Sequence, residues 1–184
     1  MNRPLLPTPG AGFDEPFALL SACHDRVQRS LALLQRLQGH LATHGADAQA
    51  QEAARDVLRY FDIAAPLHHD DEERHIFPAL LAADAARHGP FVARLQDEHR
   101  RMAAAWPAAR GALTAVAEGR WTPETATAAL PAWRDFSALY GPHIEAEEQL
   151  AYPAAQALAD AGATRAMGAE MAARRGLTAV NPGR

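Results

Sequence analysis

The sequence predicts an all-α protein, an up-down-up-down antiparallel four-helix bundle with a short C-terminal extra helix. Three observations support this fold class. Long stretches are rich in Ala, Leu, Arg and Gln, which favour helices. Short turn-forming segments separate four such stretches, and nothing has the pattern of a strand. Apolar residues also recur at helical spacing, as at Leu19, Leu20, Val27, Leu31 and Leu34.

The first half of the chain is predicted to contain two helices. Residues 1–12 are rich in Pro and Gly and are expected to form a flexible N-terminal tail. The first helix is expected over about 15–43 and the second over about 48–83. A turn at residues 44–47, which includes a glycine, separates them.

The second half is predicted to contain two further long helices. The third should begin near the stop signal at residues 87–90 and end before Trp121. Thr122 is a good helix cap and Pro123 suits the first helical position, so the fourth helix should run from there to about residue 160. Residues 161–184 are expected to form the short extra helix and a tail.

Length and composition limit the function. The 184 residues suit one domain, with the bundle over residues 13–160. The net charge is −4 and the chain has no Lys, so a nucleic-acid partner or Lys-based chemistry is not expected. Cys23 is the single cysteine, which fits a reducing compartment. With no signal-peptide pattern and no long apolar run, we expect a cytoplasmic protein that does not contact membranes.

A motif occurs twice, 75 residues apart. His68-x-x-x-Glu72 is repeated as His143-x-x-x-Glu147, and in each copy a proline follows the first Glu by six residues. One more histidine precedes each copy by 44 residues, at His24 and His99. Two matched sets of two histidines and one glutamate are what a binuclear metal site between helices requires.

The intervals place these residues at one height in the bundle. His24 and His68 lie at equal distances from the first predicted turn, and His99 and His143 at equal distances from the third. Each glutamate lies one helical turn after its histidine, on the same face. Four imidazoles and two carboxylates then surround one point of the bundle axis. This donor set suits Fe, Mn or Zn.

These residues resemble the hemerythrin-like, or HHE cation-binding, family over about residues 13–160. The segments 68–78 and 143–153 resemble its second-helix and fourth-helix signatures. The resemblance implies two iron ions with an oxo or hydroxo bridge. Carried over by position, the histidine ligands are His24, His68, His99 and His143, and the bridging carboxylates are Glu72 and Glu147.

The chain departs from the oxygen-carrying hemerythrins at Leu95, where those proteins have a fifth histidine. It is therefore more similar to the four-His, two-Glu branch linked to nitric-oxide and oxidative-stress response and to repair of iron centres. The resemblance implies binding or sensing of oxygen, nitric oxide or peroxide, with no dedicated catalytic residue. Alternatives are a di-iron oxidoreductase with an electron donor, an iron donor for an apo iron protein, and a metal-free structural bundle.

A second pair, His69 and Glu73, is shifted by one residue and points about 100° away from the first on an ideal helix. The second copy has Ile144 at the place that matches His69, so the interpretation favours His68 as the ligand. Glu73 and Glu148 are expected to be solvated or to contact the ligands.

Four further residues are candidates for the surroundings of the site. His75 is expected to face inward as a core residue or a neighbour of the ligands. Tyr140 lies one turn before His143 and could line the pocket or simply belong to the core. Phe61 and Phe136 match under the 75-residue offset and are expected to keep water from the site.

Overall fold

The computed structural model describes residues 12–177, and within them the chain is helical with no strand. Three five-residue π-helical turns interrupt the helices, at Tyr60–Ala64, Glu72–Ile76 and Glu147–Ala151. The α-helices are α1 (Pro16–His44), α2 (Ala48–Arg59), α3 (Ala65–Asp71), α4 (Phe77–Ala83), α5 (Ala85–Ala117), α6 (Pro123–Ala138), α7 (Tyr140–Ala146), α8 (Tyr152–Leu158) and α9 (Ala161–Arg174).

The all-α fold class is confirmed, and the helices form a bundle. The alternating direction of four long helices stays a prediction. The tail predicted at residues 1–12 lies outside the described residues except for Gly12, as do residues 178–184.

Side-chain caps explain where four of the described helices begin, α2, α5, α6 and α9. Asp47 accepts a hydrogen bond from the Ala50 amide at 2.8 Å, which fixes the start of α2. Before it, Gly45 has a φ of +67°, a conformation that costs glycine little. Asp160 caps α9 in the same way as Asp47 caps α2.

The third long helix begins earlier than predicted. The chain turns at Asp84, whose carboxylate accepts a hydrogen bond from the Arg87 amide at 2.9 Å, and α5 starts at Ala85. Gly89 and Pro90, which the sequence analysis placed in the turn, lie inside this helix. The aspartate cap satisfies a free amide of the first turn, and this outweighs the preference of the Gly-Pro pair for a turn.

The fourth predicted helix begins as expected but is not continuous. Thr122 and Thr125 form reciprocal side-chain to backbone hydrogen bonds, a capping box at the start of α6. The helix is interrupted at Leu139 before Pro142, and again by the third π turn. Proline removes a backbone donor, which explains the interruption next to Pro142.

Each π turn is followed by a proline, at Pro66, Pro78 and Pro153. The proline stands six residues after the first residue of its π turn, and in two cases that first residue is Glu72 or Glu147. A proline ring collides with the carbonyl four residues earlier and has no N–H to bond it. The wider π turn accommodates this defect, and π turns are frequent at functional sites.

Two apolar clusters lie on either side of a layer of buried polar residues, which includes His24 and His99. In α1 and α5, His24 and His99 each separate residues of one cluster from residues of the other. The first cluster includes Val27, Leu34, Val57, Met102, Trp133 and Phe136. The second includes Leu20, Phe77, Leu80, Leu95, Tyr152 and Met171. The bundle therefore encloses its layer of buried polar residues between two apolar layers.

The C-terminal helix α9 packs on the bundle. Met167 and Met171 are buried in the second cluster. Gly168 faces the Phe13 carbonyl so closely that a Cβ there would lie 1.7 Å from the oxygen. Glycine is required at this contact. Within residues 12–177, no helix combines the length and hydropathy needed to cross a membrane.

Candidate metal centre

The structure brings the six predicted ligand residues together in the buried layer. Glu72 and Glu147 have no exposed surface, and the most exposed of the four histidines, His99, is 6% exposed. They come from four separate parts of the chain: His24 from α1, His68 and Glu72 from α3 and the second π turn, His99 from α5, and His143 and Glu147 from α7 and the third π turn.

The donor atoms form two overlapping groups, each with its atoms within 4.8 Å of one another. Group A consists of His24, His68, Glu72 and Glu147. Group B consists of His69, Glu72, His99 and His143. Glu72 belongs to both groups, as a carboxylate between two metal ions would.

The two oxygens of Glu72 face different groups. Its Oε1 lies 3.5 Å from His68 Nε2 in group A, and its Oε2 lies 3.4 Å from His99 Nε2 in group B. Glu147 also reaches both groups, because its Oε2 is 3.1 Å from the Nε2 atoms of His24 and of His143. Each carboxylate therefore has donor neighbours on both sides.

His69 joins the cluster, which the sequence analysis did not favour. Its ring stacks on that of His99 with the centroids 4.1 Å apart. Helix geometry explains why both neighbouring histidines reach the site. His69 precedes Glu72 by three residues and His68 precedes it by four, and both spacings place side chains on one face. A shared carboxylate can thus have a histidine on each side.

Three histidines are oriented by carboxylates through their Nδ1 atoms. His24 Nδ1 lies 2.7 Å from Glu148, and His99 Nδ1 lies 3.1 Å from Glu73. His143 Nδ1 lies 2.9 Å from Glu98. Their Nε2 atoms then point into the cluster. Metal-binding histidines are usually held in this way, since the carboxylate fixes the tautomer and the ring orientation.

Glu73 and Glu148 contact His99 and His24, which is one of the two positions that the sequence analysis left open for them. Glu98 was missed. The 75-residue repeat does not reveal it, because the matching position is Cys23 and not a carboxylate. Its partner His143 lies on a different helix, so no local pattern could have identified the pair.

The buried ionisable groups shift one another's pKa values. Burial lowers the pKa of His99, but the adjacent carboxylates of Glu147 and Glu72 outweigh it and raise the pKa to about 10. Burial and the charge of Glu147 raise the pKa of Glu72 to about 7. Burial lowers the pKa of His68 well below its ordinary value, and the positive charge of His24 adds to this. Such perturbation is typical of functional sites.

Three buried polar atoms have no hydrogen-bond partner within residues 12–177: His68 Nδ1, Glu72 Oε2 and Glu147 Oε1. Buried polar atoms are nearly always paired, so two carboxylate oxygens without partners in one cluster require an explanation. A cation between the groups would satisfy these oxygens. Imidazole and carboxylate donors fit iron, manganese or zinc.

The sequence profile of the hemerythrin HHE cation-binding domain matches residues 15–170. The chain belongs to this family. A relative from Haemophilus influenzae, an uncharacterised protein, is 36% identical over 104 residues, which cover 56% of this chain and 60% of the relative. The match therefore spans about three fifths of that relative.

Tyr152 is a further residue of this HHE domain that the sequence analysis missed. Its hydroxyl donates a hydrogen bond to Glu72 Oε1 and lies 3.3 Å from His24 Nε2. Its ring stacks on His24 with the centroids 5.3 Å apart. The 75-residue repeat could have identified it, because Tyr152 matches Phe77 of the first copy. Phe77 packs on His99. Each copy places an aromatic ring on a histidine of the cluster.

The remaining predicted residues of the HHE domain divide into two sets. Phe61, Phe136 and Tyr140 form an aromatic cluster, with the Phe61 and Phe136 centroids 5.0 Å apart. They line one cavity together with His69, and their role in keeping water from the centre stays a prediction. His75 instead pairs with Glu170 of α9 at 2.7 Å, because the second π turn changes the helical register after Glu72.

An ion-pair network connects α9 to the helix that carries Glu72. Asp71 is fully buried, and its Oδ2 accepts a hydrogen bond from Arg175 at 2.7 Å. Arg174 also bonds Asp71, and bonds Asp70 at 2.7 Å. The two arginines lie beyond the matched residues 15–170. They fix the residue immediately before the shared carboxylate.

Proposed function

We propose that this HHE domain holds two iron ions, one in each group, and binds or senses a small molecule there in a stress response. The small molecule is oxygen, nitric oxide or peroxide. The cation-binding family establishes the class of site, and the nature of the metal and of the ligand is the proposal. Action as a di-iron oxidoreductase, or as an iron donor for repair of iron centres, is the alternative.

The observation that carries the proposal is the position of Glu72 between two nitrogen-containing groups. A mononuclear site would need one group of donors, whereas this layer has two that share a carboxylate. Group B has three imidazoles and group A has two. Each group offers four donor residues, and group A has a second carboxylate where group B has a third imidazole.

A mostly apolar cavity favours a small, weakly polar ligand. It measures about 190 Å³ and reaches His69, and its other lining residues include Phe61, Met102, Trp106, Phe136 and Tyr140. Oxygen and nitric oxide pass readily through such surroundings, whereas ions do not. The aromatic residues therefore favour weakly polar ligands and also keep water out.

A polar recess on another side supports the iron-donor alternative. It measures about 540 Å³ and is lined by His24, Ser21, Asp25 and Glu148, among others. Glu148 pairs with His24 and also accepts a hydrogen bond from Ser21 at 3.0 Å. Carboxylates beside a ligand histidine suit the passage of a cation to or from group A.

The bound iron would supply one-electron redox chemistry and coordination positions for the ligand. The chain supplies the rest. Glu148, Glu73 and Glu98 hold three imidazoles in place, and Tyr152 holds Glu72 by its hydroxyl. The two apolar clusters exclude water from the layer.

The decisive experiment measures iron per chain, with absorption spectra before and after reduction. Protein expressed with iron supplied should contain two irons per chain and show near-ultraviolet bands that bleach on reduction. Glu72→Gln should reduce the iron content to one or fewer, because both groups lose a shared oxygen. His44→Ala, which changes an exposed histidine far along α1, should leave the content at two.

Three outcomes separate the alternatives. Reversible spectral change with oxygen or nitric oxide, without turnover, supports binding or sensing. Steady consumption of peroxide or nitric oxide with a supplied reductant supports the oxidoreductase. Loss of iron to an apo iron–sulfur protein, with the helical fold retained, supports the donor. Zinc, a single metal or none in the wild-type protein would refute the di-iron proposal.

A further inference from the structure

A basic groove lies on the outer face of α1, near the metal centre. Four arginines and one aspartate line it, a formal excess of three positive charges in a chain whose net charge is −4. The groove measures about 770 Å³, is open to solvent, and is lined by Arg26, Arg29, Ser30, Leu33, Arg36, Asp56, Arg59, Tyr60, Ile63 and Ala64.

Most of this charge is not used inside the protein. Arg59 pairs with Asp56. Arg26, Arg29 and Arg36 are exposed, and none of them forms an ion pair or a side-chain hydrogen bond with any part of residues 12–177. Arg87, Arg101 and Arg165 are also exposed and unpaired within residues 12–177, but they lie on α5 and α9. The groove differs because three unpaired arginines lie along one helix.

The floor of the groove is apolar. Ile63 is 59% exposed, and Leu33 lies beside it, half-buried. Arginine around an apolar centre is a composition typical of protein–protein interfaces. The free arginines extend from Arg26 to Arg36, about 15 Å along the helix at 1.5 Å per residue. A single phosphate cannot contact guanidinium groups over that length, whereas the acidic face of a small protein can.

The groove is connected to the centre by a short bonded route. Tyr60 lines the groove, and its hydroxyl donates a hydrogen bond to the Cys23 carbonyl at 3.1 Å. Cys23 is joined by one peptide bond to His24, whose Nε2 lies in group A. This route joins the groove to the His24 ring through Tyr60, one hydrogen bond and the Cys23 carbonyl.

We infer that this groove docks an acidic one-electron carrier protein, which reduces the metal centre. The inference rests on the proposed di-iron function. In each encounter the carrier loses one electron and one ferric ion held by the domain gains it, and no atom is transferred. Plant-type [2Fe–2S] ferredoxin is a suitable probe because it is small, acidic and a one-electron donor.

The test compares binding of this ferredoxin to the full chain and to two charge-reversal variants. Arg29→Glu combined with Arg36→Glu alters the groove. Arg87→Glu combined with Arg165→Glu makes the same charge change at exposed arginines outside it. The groove variant should bind at least about tenfold more weakly, because interface charges set the electrostatic attraction, and the control should stay within about twofold. Added salt should weaken the wild-type complex.

A second measurement follows the iron-loaded proteins. Single-turnover reduction by the ferredoxin should slow in the groove variant, while reduction by dithionite should not change. Equal ferredoxin binding by all three proteins would overturn the inference. So would binding of basic cytochrome c to the wild-type protein as tightly as ferredoxin. Saturable binding of flavin mononucleotide in the groove without ferredoxin binding would overturn it too, in favour of a small anion.

Iron content is measured on the same samples, so the two proposals can fail separately. Two redox-active irons without ferredoxin docking would refute the groove inference alone. Groove-dependent docking in protein that lacks two irons would refute the di-iron proposal, and the electron-transfer role with it, while the docking surface would stand.

Discussion

Replacing Asp71 with alanine should destabilise the metal-free protein by about 3 kcal/mol. Asp71 is completely buried, whereas its partners Arg174 and Arg175 retain 16% and 18% exposure of their side chains. Removing one member of a buried ion pair typically costs about 3–5 kcal/mol, since the remaining charge stays buried without compensation. The partial exposure of the arginines places the expected value at the lower end.

The assay is thermal and denaturant unfolding of metal-free protein, followed by circular dichroism. Metal must be removed because a bound ion adds its own binding free energy to the apparent stability. In a chain of this length, each 1 kcal/mol corresponds to about 2–4 °C, so the midpoint should fall by about 6–12 °C. The denaturant slope should stay the same if the fold is retained.

Asp70→Ala is the matched control. Asp70 is the neighbouring aspartate and also contacts Arg174, but its side chain is 40% exposed. Exposed pairs contribute about 0.2–1 kcal/mol, so this variant should lose less than about 1 kcal/mol. A double-mutant cycle between Asp71→Ala and Arg174→Ala should show coupling of at least about 1 kcal/mol. Equal losses in the two aspartate variants, or additive effects in the cycle, would refute the reasoning.

Three further predictions test the site and the core. His69→Ala should lower the iron content of the protein below two per chain, measured by elemental analysis; an unchanged content would remove His69 from the ligand set. Because the pKa of His99 is raised from 6.5 to about 10, its contribution to metal-free stability is fully present below pH 6.5 and is lost as the pH rises through about 10. Unfolding midpoints measured across that range should fall, and a flat profile would contradict the assignment. Trp133→Ala should destabilise by about 3–5 kcal/mol in urea unfolding, because the indole is fully buried and donates a hydrogen bond to the Ala109 carbonyl at 2.9 Å; a loss below about 1 kcal/mol would show that the core refills the space.

The sequence was sufficient for the fold class and for the gathering of six polar residues. Both depend on regular helical geometry. Residues at equal distances from a turn reach equal heights, and residues four apart share a face. The structure brings His24, His68, His99 and His143 into one buried layer.

The parts that could not be predicted depend on departures from regular geometry or on other helices. An ideal helix separates His68 and His69 by about 100°, which suggested that only one of them faces the site. A shared carboxylate makes both directions useful, because it can have a histidine on each side. Glu98 and Tyr152 contact their partners across helices, so their roles follow from packing and not from spacing.

The 75-residue repeat makes the centre nearly symmetric, and its mismatches make the two groups different. Where one copy has His69 the other has Ile144, so group B gains a third imidazole and group A does not. Where one copy has Phe77 the other has Tyr152, whose hydroxyl lies at His24 and Glu72 in group A. Under the di-iron proposal the two groups would therefore contribute differently to ligand binding. Group A has the Tyr152 hydroxyl beside it, and group B has His69 at the apolar cavity.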